Sequence, residues 1–526
     1  MGLPASGMGH AAGVAATLPG AARRSAVEAV LFCMVFFSGA YFYNGAVANQ
    51  LARYDTIFAF VEPGTGDFLS FHIDRFVDRG DGRGNTIDWA HEPVHDSHYY
   101  SNKAPGIAYL GIPVYAGLYW IERALGWNPE SHRLTYVNCY LLNLALTVLS
   151  VALSAPCFYR LVAGITGGSW AVVLTIGLYF GTLMLPYSTQ LWGHATAAAF
   201  VVCALYFFLA ERPRYGWSGL SAGLGVLVEY AVAIPVAILL LVLVRRRDLR
   251  GLRAMALGGL LPAIAFGTYH GIAFGEVLTI ANLHTNPTFV DAGAAGGIFW
   301  VATAREALWG ITFSPFRGLF WHMPVLLAAL VGVALAPRVW RLPLFWICAA
   351  SIGGFLLMNV SFNRWDGGAC VGPRYQIPVL PFYVILVALV VAELRERLRG
   401  RRWRGRLLVC AFAGLLLLSV ANMLVTASVS PLASEVLPWQ TPEDQAAWKN
   451  PLRLYYGKFA AGILQPHGLV QIRFTEEPWG AEVRRLEKFI LGQLVGLRGA
   501  WLAAPCLLVL VGGLATSLTL VRKGKG

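Results

Sequence analysis

Long apolar runs separated by short polar breaks dominate the chain. A helix that crosses a bilayer needs about 20 mostly apolar residues. Runs of this kind stand near 27–47, 134–158, 169–186, 192–210, 217–230, 232–244, 254–274, 319–336, 343–360, 376–394, 407–427 and 499–521. The pattern predicts a spanning helix for each, with 217–230 and 232–244 short enough to form one bent hairpin. A further apolar run, 106–125, opens after Pro105 and contains Pro113, which predicts a helix start and a kink. The expected fold is an all-α polytopic membrane protein, a bundle of about 12 transmembrane helices.

Charge decides which side each polar segment faces. Short cytosolic loops are enriched in Lys and Arg. The segments 1–28, 158–168, 211–216, 245–253, 337–342, 393–406 and 522–526 hold 22 basic and 5 acidic residues, and the rest of the chain holds 19 and 23. Every strongly basic short loop falls on one side only if 106–125 does not cross. That run is therefore expected to be a juxtamembrane or re-entrant helix on the outer side. Both termini are then cytosolic, and the outer excursions are 48–133, 275–318, 361–375 and 428–498. The last contains two amphipathic pieces, near 443–464 and 481–496. In domain terms these are a tail (1–26), a multi-span domain (27–427), an outer polar segment (428–498), and a last span with a basic tail (499–526).

Composition agrees. Of the 526 residues 57% are hydrophobic and only 13% charged, and the mean hydropathy is +0.57. A soluble protein of this length needs more polar surface. The net charge of +13 does not indicate nucleic acid, because it is concentrated on the inner loops. Arg23 and Arg24 precede an apolar run of more than the 7–15 residues of a signal-peptide core, so an uncleaved first span is expected. The eight cysteines show no C-x-x-C spacing and read as small core hydrophobes. Phosphate-loop, nucleophile-elbow and H-E-x-x-H motifs are absent.

Candidate chemistry gathers in the outer segments. The first carries eleven of the 28 acidic residues when extended to Glu130. Asp55 lies just beyond the first span, in Arg53-Tyr54-Asp55. It reads either as a reactive carboxylate at headgroup depth or as a solvated loop acid paired with Arg53. Asp67, Asp74, Asp78, Asp81, Asp88 and Asp96 offer a cation oxygen ligands, but not at EF-hand spacing. Lys103 precedes a Pro-started helix, where an ammonium and free backbone N–H groups make an anion site; interfacial snorkelling is the alternative. Arg374 closes a glycine-rich loop, Gly367 to Tyr375, suited to close approach and to bidentate phosphate binding. Ordinary anchoring with Asp366 as counter-charge is the other reading. Arg317, in Ser314-Pro315-Phe316-Arg317-Gly318-Leu319, is comparable. His194 opens a span and reads first as a core histidine. Glu229 at the hairpin turn reads as cavity-lining or as exposed at the tip.

Taken together, Arg53-Tyr54-Asp55, His98-Tyr99-Tyr100-Ser101-Asn102-Lys103-Ala104-Pro105-Gly106, Ser314 to Leu319, and Gly372-Pro373-Arg374-Tyr375 resemble the GT-C superfamily of membrane glycosyltransferases. The resemblance is to the bacterial branch related to protein O-mannosyltransferases and the aminoarabinose transferase of lipid A, over roughly 45–385. It implies a GT-C-like bundle with outer juxtamembrane helices in the first loop. It also implies transfer of a sugar from a polyprenyl-phosphate carrier to an acceptor on the outer face of the bacterial inner membrane, with inversion. The acceptor is a protein, glycan or lipid, and no cofactor is expected, although a divalent cation is compatible. By the same resemblance Asp55 is the general base, with Asp88 and Asp96 in reserve. Lys103, Arg317 and Arg374 hold the lipid phosphate, while Tyr100, Asn102, His194, Glu229, Asp366 and Tyr375 line the pocket. This chain departs from the pattern at Asn102, where relatives carry Asp, and at Thr56, where better-known relatives carry a second acid. A transporter would place its polar residues near the bilayer midplane, whereas these lie at the outer ends. A non-catalytic scaffold of envelope assembly is the remaining alternative.

Overall fold

A computed structural model of the chain describes residues 21–45, 48–63, 69–79, 84, 86–289, 304–362, 364–368, 370–430, 449–462 and 489–523. The protein is an all-α polytopic membrane protein. Every predicted apolar run lies on helix, in order: α1 (Ala21–Tyr41), then the polar-stretch helices α2 (Ala48–Val61) and α3 (Gly106–Ala124), then α4 (Leu134–Thr166), α5 (Gly168–Phe180), α6 (Gly193–Leu209), α7 (Tyr215–Val228), α8 (Ala233–Arg245), α9 (Leu249–Phe274), α10 (Ala304–Thr312), α11 (Leu327–Leu335), α12 (Pro343–Val360), α13 (Leu380–Arg397), α14 (Arg402–Val429), α15 (Pro451–Ala460) and α16 (Ala504–Arg522). Among the described residues seven helices are long and apolar enough to cross a membrane, and four shorter apolar ones accompany them. The 19-residue α3 is not among the seven, and it carries Glu122 and Arg123.

Four departures from the sequence expectation stand out. The first apolar run does not stay helical to 47: α1 stops at Tyr41 because Phe42–Tyr43 (β1) pairs antiparallel with Phe489–Ile490. The run 319–336 is broken. Its first turn, Leu319–His322, gives way to a 3-10 turn at Pro324, which has no N–H to continue the ladder. The start of the first outer excursion is not loop but the helix α2. Of the two amphipathic pieces, 443–464 contributes α15. The second contributes the strand Phe489–Ile490 and a 3-10 turn rather than a helix. Their remainder, with Asp67 and Asp81, lies outside the described residues.

Close helix contact shapes the region under the site. A Cβ on Gly219 of α7 would fall 1.9 Å from the carbonyl oxygen of Met255 on α9, and one on Gly258 would fall 1.9 Å from that of Gly216. Small residues let two apolar helices touch backbone to backbone where dispersion, not water exclusion, drives association. Near the basic end of the bundle, Glu28 of α1 accepts two hydrogen bonds from Arg160 of α4, at 2.7 and 2.5 Å, a bidentate clamp between these helices.

The described part of the segment 48–133 folds onto the end of α9. Trp89–Ala90 (β2) pairs with Tyr100–Ser101 (β3), and Phe71, Ala90 and Tyr100 pack with Tyr269, Ala273 and Phe274 in a small apolar cluster of their own. The Tyr269 hydroxyl donates to the Ser101 carbonyl at 3.2 Å. The second excursion joins the same layer, where Asn286 donates from its backbone to Trp89 and from its side chain to Ile87. Burial of β3 against α9 fixes the two residues that follow it, Asn102 and Lys103.

Candidate functional site

Four segments converge on one polar cluster. From α2 comes Arg53, whose Nη1 donates to the carbonyl and side-chain oxygen of Asn49 one turn earlier, at 2.9 and 2.6 Å. Its Nη2 lies 3.5 Å from Glu229 Oε1. Glu229 is the extended residue between α7 and the turn into α8, and its carboxylate sits at the start of α6, 3.2 Å from His194 Nδ1. A carboxylate is favoured there by the free N–H groups of the first helical turn. Gly193 allows the approach, since a Cβ at that position would meet Glu229 Oε1 at 2.4 Å.

Lys103 enters from the other side. Its Nζ lies 3.2 Å from Asp88 Oδ1. Asn102 donates to Thr285 Oγ1 at 2.8 Å and lies 3.5 Å from the same Asp88 oxygen. The turn that carries them is pressed against α7: a Cβ at Gly106 would stand 2.6 Å from the Leu227 carbonyl carbon. Burial pulls Lys103 down to about 8. Asp88 opposes that, and the charges of Arg53 and Arg374 add to it. Burial likewise lowers the Arg53 guanidinium, with Glu229 as the main opposing charge. Thus three cations and two carboxylates act on one another in a single place.

The third cation, Arg374, lies between the faces of Trp192 and Tyr375, 4.9 and 5.0 Å from their ring centres, and donates to the Tyr375 hydroxyl at 3.2 Å. Among the described residues it has no carboxylate within ion-pair distance, unlike Arg53 and Lys103. The His194 ring meets Tyr375 edge-on at 5.8 Å. Buried donors on both arginines, Arg53 Nε and Arg374 Nε, and on Trp192 Nε1 have no protein acceptor among the described residues. The loop before Arg374 takes left-handed backbone at Gly367, Gly368 and Gly372, and Tyr187 holds it by donating to the Val371 carbonyl at 2.9 Å.

Of the residues expected from sequence, Asp88, Asn102, Lys103, His194, Glu229, Arg374 and Tyr375 come together. Arg317 does not join them as a phosphate ligand. Fully buried, it donates from Nε, Nη1 and Nη2 to the carbonyls of Asp366, Cys370 and Gly368, so its guanidinium is the scaffold of the glycine loop. Asp366 offers that loop its carbonyl, while its carboxylate faces Arg364 at 3.8 Å. Asp96 and Tyr100 pair with each other at 2.7 Å in the layer over α9, where hydrogen bonds from Tyr100 and the His98 backbone hold the Asp96 carboxyl below its usual range despite burial. Asp55 is not a solvated loop acid. It is only 1% exposed. Two helical positions amount to about 200°, so Arg53 and Asp55 point nearly opposite ways.

Arg53 itself is the residue the sequence reading passed over, and a helical reading of 48–61 recovers it. Asn49, Arg53 and Thr56 are spaced i, i+4, i+7 and form one polar stripe. Arg53 and Thr56 line a small cavity with Ser101, Lys103 and Tyr269.

No family model and no curated protein matches this chain. Two solved structures do. The crystal structure of ArnT from Cupriavidus metallidurans in the apo state is 14% identical, over 95% of this chain and 74% of that one, with a TM-score of 0.42. The ArnT structure from the same organism bound to undecaprenyl phosphate is 15% identical, over 95% and 75%, with a TM-score of 0.43.

Proposed function

We propose that the protein is an integral membrane glycosyltransferase that takes a sugar from a polyprenyl-phosphate donor at the outer face of the bacterial inner membrane. The observation that carries this reading is the convergence of Arg53, Lys103 and Arg374, the last with no carboxylate partner among the described residues. A phosphate monoester leaving group gathers charge as its bond to the sugar breaks, and fixed cations in a site with little water stabilise it. The motifs that resemble membrane glycosyltransferases supply the donor class. The distribution of Lys and Arg supports the sidedness, with both termini cytosolic.

In this reaction the acceptor hydroxyl oxygen attacks the anomeric carbon. The bond from that carbon to the phosphate oxygen breaks, and its electron pair leaves with the phosphate. The hydroxyl proton passes to a carboxylate within reach. Asp88 takes that role in our reading, because it stands beside Lys103, whereas two helical positions set Asp55 across α2 from Arg53. Glu229 holds Arg53 and His194 in place. No metal step is required by this scheme.

The test is incubation of membranes containing the protein with radiolabelled polyprenyl-phosphate sugars. Release of free polyprenyl phosphate, lost in Arg374→Ala, supports the reading. Absence of release from a panel of hexosyl and pentosyl donors, or release that Arg374→Ala leaves unchanged, overturns it.

A further inference from the structure

The outer segment carries a second cluster that the proposed reaction does not use. His98 Nδ1 lies 2.5 Å from Asp74 Oδ2, and His72 Nδ1 lies 3.5 Å from the same oxygen. The three ligand atoms all lie within 4.8 Å of one another, and the two imidazole rings stack at 4.1 Å. We propose that His72, Asp74 and His98 bind a divalent transition-metal ion, with zinc the best chemical match.

The donor set selects the metal class. Two imidazoles and one carboxylate suit zinc and its borderline neighbours, whereas magnesium and calcium require mostly oxygen. Zinc bonds of about 2.0–2.2 Å in tetrahedral geometry place ligand atoms roughly 3.3 Å apart. The His72–Asp74 separation already meets this. The His98–Asp74 separation opens by less than an ångström when the ion replaces the proton shared between them, and the stacked rings tilt toward each other. Three protein ligands leave one position for water.

The surroundings have the form of a supported site. The other oxygen of Asp74 accepts the backbone N–H of Tyr99 at 2.7 Å, and Ile73 N–H donates to the Tyr99 carbonyl at 2.7 Å. These bonds fix the carboxylate relative to both histidines. With Nδ1 of His98 on the metal, its Nε2–H faces Asp96 Oδ1 at 3.9 Å, and Asp96 is itself held by the Tyr100 hydroxyl at 2.7 Å. A carboxylate behind a ligating histidine orients the ring and strengthens it as a donor. The ion would staple residues 72–74 to the strand that leads into Lys103. This proposal stands whether or not the sugar-transfer reading does.

The test uses the full-length protein in detergent, stripped with a chelator and dialysed. Zinc is titrated by calorimetry, and bound metal is counted by elemental mass spectrometry. One equivalent of zinc is expected, with affinity falling about 10–100-fold in His72→Ala, Asp74→Asn and His98→Ala. To separate loss of binding from loss of fold, His98→Cys provides a second arm. It retains the metal, and its cobalt form gains a thiolate charge-transfer band that the unsubstituted protein lacks. Zinc binding unchanged in the His72→Ala/His98→Ala double variant overturns the proposal. So does failure of the unsubstituted protein to bind zinc, or a cobalt spectrum unaltered by His98→Cys.

Discussion

The Lys103 ammonium and the Asp88 carboxylate face each other at 3.2 Å, fifteen residues apart in sequence. In the proposed reaction the pair joins a cation for the donor phosphate to the acceptor of the hydroxyl proton. Lys103 sits at about 8 because burial and two neighbouring arginines outweigh Asp88. Donor affinity is therefore expected to fall as pH rises through about 8, where the ammonium is lost. Stability moves the other way. The folded protein holds this proton less tightly than the unfolded chain, so it gains stability between about 8 and the ordinary lysine range. Donor titrations across pH 6–9 test the first effect, and Lys103→Ala should remove that pH step.

Asp88→Asn is expected to lower kcat by about 10²–10⁴, the usual share of general base catalysis, with a smaller change in KM. Asp55→Asn should retain most of the transfer rate. Rates in membranes normalised to folded protein decide between the two acids, and the reverse ranking would return the base to α2.

Arg317 and Arg374 should separate cleanly despite their similar surroundings in sequence. Arg317→Ala leaves buried carbonyls at Asp366, Gly368 and Cys370 without their donor, at about 1–3 kcal/mol for each unsatisfied group. It should lower the thermal midpoint in detergent. Arg374→Ala should weaken donor binding while the midpoint changes little.

Gly193→Ala would drive a methyl group into the Glu229 carboxylate. The expected result is loss of the contacts from Glu229 to His194 and Arg53, and a drop in transfer, with the bundle intact. Circular dichroism and activity measured on the same sample check this. Gly193→Ala combined with Glu229→Gln should be no worse than Gly193→Ala alone.

Glu62, buried at the end of α2, accepts hydrogen bonds from Arg75 at 2.6 Å and Tyr115 at 2.8 Å. Burial lifts its carboxyl to about 7 against both partners. The folded protein thus holds this proton more tightly than the unfolded chain does. Stability should rise as pH falls from about 7 toward the ordinary glutamate range. Glu62→Gln should flatten that slope in thermal melts between pH 5 and 8.

Much of the architecture was legible because bilayer thickness and loop charge are properties of short windows. The run 106–125 was kept out of the list of spans by the charge of distant loops, and α3 is not among the seven long apolar helices. Lys103 and Arg374 were legible through the Pro and Gly residues around them. The helix over 48–61 is harder to see, because Asn49, Arg53 and Thr56 lie on one stripe within a largely apolar segment. The work of Arg317 had no signal at all, since its partners are backbone carbonyls that any residue could supply. Asn102 is explained only in three dimensions. It donates toward the Asp88 oxygen that Lys103 also holds, and a second carboxylate there would repel the first.

The antiparallel pair of β1 with Phe489–Ile490 joins segments far apart in the sequence. Beyond it, α1 packs along α16, where Cys506 donates to Ser38 across 468 residues and Gly513 lies against Met34. One side of α1 is thus covered by a helix far along the chain. Since α2 follows β1 after a few residues, this long-range pair also anchors the helix that carries Arg53.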